Sequence, residues 1–250
     1  MLVVVPVDPP HESLAPPTLT DDPANGLSKA EFVTLYRATI SDVIAAVDSS
    51  GGDLLLNVRD EQTLPEEARD SIADPRGAVR SLAEQRLGTD ADIRIEPQVG
   101  STRSARIGNT VTHLLEREAV NSVGVLDPMA ALVGRPQIDG VAMSLRRNEI
   151  VLGPAQAGQV YLAAFTDPID FTDVFDASRS PIEVLSSRGV GADLGVGFAP
   201  RVPLASDAQG LGTTIAEIRA LESAGRAIPQ ATTAVIEELG LEAGADGTLR

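Results

Sequence analysis

Glu149-Ile150-Val151-Leu152-Gly153-Pro154-Ala155-Gln156-Ala157-Gly158-Gln159-Val160-Tyr161-Leu162, continuing to Phe175, is the stretch whose reading decides the fold. Two apolar runs, Ile150 to Leu152 and Val160 to Phe165, flank a loop from Gly153 to Gly158. Runs this short, bounded by Gly and Pro, read as strands rather than helices. So short a connection predicts a hairpin, and a hairpin places one reversed strand in the sheet it joins.

Upstream of the hairpin the pattern is different. Leu2 to Val7 is a continuous apolar, β-branched run, which predicts a buried central strand. A long Pro- and Asp-rich loop is expected from Asp8 to Leu27. Ser28-Lys29-Ala30-Glu31 has the form of a capping box, and Phe32, Leu35, Tyr36, Ile40, Val43, Ile44 and Val47 follow at helical spacing. Leu54 to Val58 reads as a second strand, and Asp74-Pro75 as the capped start of a helix running to Leu87. Ile93 and Ile95 mark a third strand, Ile107 to Leu115 a third helix and Val123 to Leu126 a fourth strand. Alternating strands and helices predict a parallel sheet covered on its faces. A helix from Gln137 to Leu145 then leads into the hairpin. Beyond it come a helix near Ile182 to Ser187, a strand from Gly195 to Phe198, and helices near Thr213 to Ser223 and Thr232 to Leu239. The expected fold is therefore α/β: a single-domain mixed, mostly parallel sheet with one antiparallel pair, flanked by helices. That domain is expected over residues 1–229, with a C-terminal helix and acidic tail over 230–250.

Composition narrows the function classes. The 250 residues carry 36 acidic against 20 basic side chains, a net charge of −16. Lys29 is the only lysine, the remaining basic residues being Arg. Acidity with almost no Lys fits a protein hydrated in concentrated salt, where the Debye length falls to about 3 Å at 1 M; a GC-rich genome encoding Arg for Lys explains the same bias. Either way the charge argues against nucleic acid as partner. No Cys is present, which excludes disulfides and thiolate metal sites. No apolar run approaches the roughly 20 residues needed to span a bilayer, and the N-terminus lacks the basic region of a signal peptide. A cytoplasmic location without membrane contact is the expectation.

In an open parallel sheet, ligands bind beyond the carboxyl ends of the strands. That rule selects four loops: Pro6 to Leu27, Gln98 to Arg106, Asp127 to Leu132 and Gly153 to Gly158. Asp127 follows an apolar strand in Leu126-Asp127-Pro128; such a carboxylate either holds a divalent metal against a diphosphate or simply forms an Asp-Pro turn. Gln98-Val99-Gly100-Ser101-Thr102-Arg103 brings Arg103 and Arg106 to a helix start, either an anion site or an ordinary capped terminus. Walker A, Gly-x-Gly-x-x-Gly and Gly-x-Ser-x-Gly signatures are absent, which argues against P-loop, NAD and α/β-hydrolase chemistry. His11 and His113 have no metal-ligand spacing, and Asp167, Asp170 and Asp173 read as caps on an acidic surface. Gly189-Val190-Gly191 and Gly195-Val196-Gly197 read as turns.

The quoted stretch resembles a segment of the transferase-like family named domain of unknown function 2064, whose members look like glycosyltransferases of the A type. Those proteins carry a strand followed by Gly-Pro-Ala-x-Asp-Gly-Gly-Tyr-Tyr, matched here by Gly153, Pro154, Ala155 and Tyr161. Their upstream Asp-x-Pro is similar to Leu126-Asp127-Pro128, and their Phe-containing turn and helix to Phe171 through Leu185. The resemblance implies a nucleotide-diphospho-sugar transferase-like fold in a divergent, haloarchaeal-type member. It further implies a nucleotide or nucleotide sugar over the end of the first strand at Pro6 and Asp8, Mg²⁺ or Mn²⁺ at Asp127, and an acceptor facing Gly153 to Tyr161. The family carries a Lys and an Arg after its first strand, where this chain has His11-Glu12-Ser13-Leu14; the resemblance leaves Arg103 or Arg106 to substitute from another loop. The acidic residue of the family loop is Ala157 here, with Gln159 in place of a Gly. Two readings follow: a nucleotide-sugar or nucleotidyl transferase, and a non-catalytic nucleotide-binding or partner subunit that retains the fold.

Overall fold

The computed structural model describes residues 1–20, 26–175, 179–244 and 249. Seven strands form one sheet: β1 (Leu2–Val7), β2 (Asp53–Val58), β3 (Arg94–Pro97), β4 (Val123–Leu126), β5 (Ile150–Pro154), β6 (Val160–Phe165) and β7 (Val196–Phe198). Their spatial order is β3-β2-β1-β4-β6-β5-β7. β1 lies parallel to β2 and β4, β2 to β3, and β5 to β7. β6 alone is reversed. It runs antiparallel to β5, as the hairpin predicts, and also to β4, with Val123 opposite Phe165 and Leu126 opposite Leu162. The expected single antiparallel pair is thus two pairings made by one strand, because β6 inserts between β4 and β5 instead of extending the edge.

Nine helices occur among the described residues: α1 (Pro17–Thr20), α2 (Lys29–Asp48), α3 (Glu66–Arg69), α4 (Pro75–Leu87), α5 (Arg103–Glu116), α6 (Arg135–Ser144), α7 (Pro181–Gly191), α8 (Ala208–Ser223) and α9 (Gln230–Glu238). Their starts follow local chemistry. Ser28 and Glu31 close the full capping box on α2, Asp74 accepts from the Gly77 N–H at 2.8 Å ahead of Pro75, and Thr102 accepts from the Ala105 N–H at 3.1 Å.

The pleat of β1 divides the core into two layers. Val3, Val5 and Val7 meet Leu35, Val43 and Val47 of α2, together with Val79 of α4, Ile138 of α6, Ile215 of α8 and Ile236 of α9. Leu2 and Val4 meet Ile107, Val111 and Leu114 of α5, and Val184 and Leu185 of α7. Helices therefore cover both faces, which is why β1 is apolar along its whole length.

Some expectations need adjustment. The loop after β1 contains a tight turn at Glu12–Leu14 and the single helical turn α1; residues 21–25 of that loop lie outside the described ones. Gly189 and Gly191 belong to the last turn of α7 rather than to a turn between elements. A Cβ on Gly189 would stand 2.6 Å from Ile150 Cδ1, so the missing side chain lets α7 approach β5 closely. The α9 helix packs on α2, where the buried Asp42 carboxylate accepts the Ala231 and Thr232 N–H groups at 3.1 and 2.7 Å. Of the acidic tail, residues 245–248 and 250 lie outside the described residues. No helix among them is long and apolar enough to cross a membrane.

Candidate functional site

Beyond the carboxyl ends of β1 and β4 opens a cleft of about 480 Å³. Three chain segments converge on it: Pro6, Asp8 and His11 after β1; Gln98, Arg103 and Arg106 around the start of α5; and Asp127, Pro128 and Met129 after β4. Phe32 and Tyr36 of α2 form an apolar wall, their rings 5.6 Å apart and nearly parallel. Gln159, Ser206 and Asp207 close the far side. Five of the residues singled out in the sequence, Pro6, Asp8, Arg103, Arg106 and Asp127, meet here.

Asp127 and Arg103 face each other. Arg103 Nη2 donates to Asp127 Oδ2 at 2.9 Å, while Asp127 Oδ1 accepts the Met129 N–H at 2.9 Å. The Met129 contact is the Asp-Pro turn read in the sequence. The arginine is itself held, with its guanidinium over the Phe175 ring at 5.3 Å from the centroid. Phe175 is anchored in turn by its N–H on Ser104 Oγ at 2.8 Å. The stretch that opened at Glu149 thus ends beneath a cleft arginine.

Arg106 lies one turn along α5 from Arg103, and residues three apart share a helix face. Its Nε donates to Gln98 Oε1 at 2.7 Å, and Gln98 Nε2 donates to the Asn57 carbonyl at 2.7 Å. Asn57 extends the chain of bonds, its Nδ2 donating to the Pro97 carbonyl at 3.2 Å and its Oδ1 accepting from Thr110 Oγ1 at 3.1 Å. Gln98 and Asn57 are buried. Buried polar groups are retained where their bonds are complete, and here the completed network orients Arg106. Sequence reading placed Gln98 at the start of a candidate loop without giving its side chain a role, and missed Asn57 altogether. The available signal was a polar side chain at the carboxyl end of an otherwise apolar strand, Asn57 in Leu54-Leu55-Leu56-Asn57-Val58.

Tyr36 also went unnoticed as a site residue. Its hydroxyl accepts the Asp8 N–H at 3.0 Å at the cleft wall. Burial foremost, then the Asp8 charge, pushes this phenol well above its usual range. It stays protonated at neutral pH and keeps a donor at the site.

Gly153, Pro154, Ala155 and Tyr161 are placed away from the cleft lining. Tyr161 is fully buried, and no described residue bonds its hydroxyl; burial pushes its pKa up to about 12. A Cβ on Gly153 would stand 2.5 Å from the Tyr161 ring, so this glycine makes room for the tyrosine. The loop reaches the cleft instead through Gln159. Within it, Ala157 takes the left-handed conformation at φ 51° and Gly158 follows at φ 74°. Gln156 fastens the loop to the segment before α8, donating to the Leu204 carbonyl at 2.8 Å and accepting the Leu204 N–H at 2.9 Å. His11 lines the cleft while capping the turn after β1, and His113 is exposed on α5 beside Glu118, 3.4 Å away.

Three carboxylates line the cleft: Asp127 and Asp207 accept hydrogen bonds, and Asp8 has a guanidinium nearby. Asp8 lies 3.6 Å from Arg59 Nε, Asp127 holds Arg103 and the Met129 N–H, and Asp207 caps α8 through the Gly210 N–H at 2.7 Å. Among the described residues no group of three or more His, Cys, Asp or Glu side chains is placed to hold a metal ion. This donor set does not fit a resident Mg²⁺ or Mn²⁺, because an ion on Asp127 would sit against the guanidinium that already holds Oδ2. Asp127 here is an ion-pair partner.

The same architecture occurs in solved structures. A protein assigned to the nucleotide-diphospho-sugar transferases, from Desulfovibrio desulfuricans G20, superposes with a TM-score of 0.72 at 16% identity, covering 95% of this chain and 94% of that one. This chain has the nucleotide-diphospho-sugar transferase-type fold. Also similar are a cytidylyltransferase from Leptospira borgpetersenii serovar Hardjo-bovis (TM-score 0.48, 8% identity, 96% and 94% covered) and a CMP:2-keto-3-deoxy-manno-octonic acid synthetase complexed with CTP (TM-score 0.47, 11% identity, 90% and 98% covered). Their lower scores leave the assignment resting on the first. No protein-family model matches the sequence, and a search of curated proteins finds no match. At such low identity the likeness establishes the transferase-type fold and leaves function to the site.

Proposed function

We propose that this chain is a nucleotide-sugar or nucleotidyl transferase-like protein, with the cleft beyond β1 and β4 as its nucleotide site. The observation that carries the proposal is the convergence of Arg103 and Arg106 on that cleft in a chain of net charge −16. Two oriented guanidiniums at a strand-end cleft offer phosphate oxygens charge-assisted donors beside the cleft's three carboxylates. The aromatic wall of Phe32 and Tyr36 supports placing the nucleoside toward α2 and the phosphates toward α5. During transfer the departing phosphate's charge would be received by Arg103 and Arg106, the stronger, charge-assisted kind of donor.

The match of Gly153, Pro154, Ala155 and Tyr161 supports a relationship to the family of domain of unknown function 2064, and the acidic, Lys-poor composition supports a role in a salt-rich cytoplasm. Tyr161 in this reading shapes the loop, while Gln159 faces the acceptor side. Ala157, standing where the family loop has an acid, favours the second reading of a binding subunit without transfer activity. Isothermal titration of UDP-, GDP- and CDP-sugars and of CTP in high salt tests the proposal. Micromolar binding of one of them is expected; silence across the panel contradicts it. Product formation from the bound donor would then separate the enzyme from the binding subunit.

A further inference from the structure

We propose that Arg103 occupies the seat a divalent cation would take beside Asp127, so that the cleft binds phosphates through guanidinium groups and needs neither Mg²⁺ nor Mn²⁺. This rests on the nucleotide reading above and specifies how that site holds its ligand.

The case begins with Asp127. Its two oxygens serve different donors, Oδ1 the Met129 N–H and Oδ2 the Arg103 guanidinium, both at 2.9 Å. A divalent cation on Oδ2 would sit against a guanidinium of like charge. Moving the ion to a neighbouring carboxylate gives no relief. Asp8 faces Arg59, and Asp207 is spent on Gly210 and on Gln156 Nε2, 3.3 Å away.

Nor is Arg103 a loose surface side chain that a metal displaces at little cost. Its guanidinium stacks on Phe175, and the Phe175 N–H is bonded to Ser104 on the same helix. The Asp127 contact uses one of the five N–H donors a guanidinium carries, and the side chain is 51% exposed at the cleft mouth. Arg106, held by Gln98, adds a second guanidinium on the same face of α5. Two such groups together carry the charge of one divalent ion. Their planar forks also match phosphate oxygens in pairs, which a spherical ion does not.

The test is calorimetric titration of the full-length protein with UDP, CDP and GDP, in EDTA and again with excess Mg²⁺, beside Arg103→Ala and Arg103→Lys. Wild type is expected to bind one nucleotide with affinities that agree within about twofold between the two conditions. Arg103→Ala should lose about tenfold or more in EDTA, the usual worth of a bond to a charged group, and regain part of it with Mg²⁺ because Asp127 is released. Arg103→Lys should lie between, keeping the charge without the fork, and stay insensitive to Mg²⁺. Circular dichroism should show both variants folded, since the Arg103 side chain is half exposed. Wild-type affinity that rises tenfold or more with Mg²⁺ and depends on Asp127 overturns the inference while leaving the nucleotide reading standing. No binding in either condition overturns the nucleotide reading itself, and this inference with it.

Discussion

Gln98→Leu is expected to unlock the floor of the cleft. Gln98 makes two bonds, one from the Arg106 guanidinium and one to the Asn57 carbonyl, both at 2.7 Å. A hydrogen bond to a charged group contributes about 1.5–3 kcal/mol net and a neutral one about 0.5–1.5. Arg106 is half-buried, so the lower part of the first range applies. Leucine has a similar volume and opens no cavity, and its added apolar burial returns about 1 kcal/mol. The net loss is about 2 kcal/mol, which in a domain of this size lowers the melting temperature by roughly 4–8 °C. Urea and thermal unfolding followed by circular dichroism measure it. Nucleotide affinity should fall in the same variant, because Arg106 is no longer aimed. Gln98→Glu keeps an acceptor for Arg106 and should preserve most of that affinity. A Gln98→Leu protein that matches wild type in both unfolding and nucleotide binding refutes the reasoning that the buried network orients Arg106.

Other consequences are as direct. Asp42→Ala removes the acceptor of two α9 N–H groups and should cost about 2–4 kcal/mol; hydrogen exchange should quicken first in residues 230–238, and uniform exchange across the chain would argue otherwise. The chain has two tyrosines, Tyr36 and Tyr161, both with raised pKa. Native tyrosinate absorbance should therefore show no transition near pH 10. Since the fold favours the protonated phenols, their contribution is complete below pH 10 and is lost as pH rises from 10 toward 12, where the unfolded chain ionises first. A native transition at the ordinary value for either ring contradicts the burial argument. Raising KCl from about 0.1 to about 2 M should raise the melting temperature by screening the net charge of −16; a melting temperature that falls over that range counts against salt adaptation.

The fold was legible where local chemistry decides it. Ser28 and Glu31, and Asp74 with Pro75, mark helix starts where the structure has them, because a cap is a contact across three residues. The hairpin around Gly153 to Gly158 was equally local. The insertion of β6 between β4 and β5 was not, since strand order depends on which faces pack and no short pattern records it. The same limit explains the site. Pro6, Asp8, Arg103, Arg106 and Asp127 followed from their places at strand ends and a helix start. Arg106 bonds Gln98 across 8 residues, but Gln98 is held by Asn57 across 41, and that second contact leaves no spacing to read. Tyr161 shows the reverse case. A motif tyrosine and a core tyrosine look alike in sequence, and burial places this one among the core residues. Gly189 lies inside α7 where Ile150 leaves no room for a side chain, a tertiary cause that glycine's reputation as a turn former conceals.

The central claim, that the cleft beyond β1 and β4 is a nucleotide site built on two arginines, has one most direct test. It is the titration of wild type and the Arg103→Ala/Arg106→Ala double variant with UDP, CDP and GDP, with circular dichroism confirming equal folding. The account predicts one nucleotide bound per wild-type chain and about a hundredfold weaker binding in the double variant, from two lost charge-assisted contacts. Wild type that binds none of the three, or a double variant that binds as tightly as wild type, contradicts it.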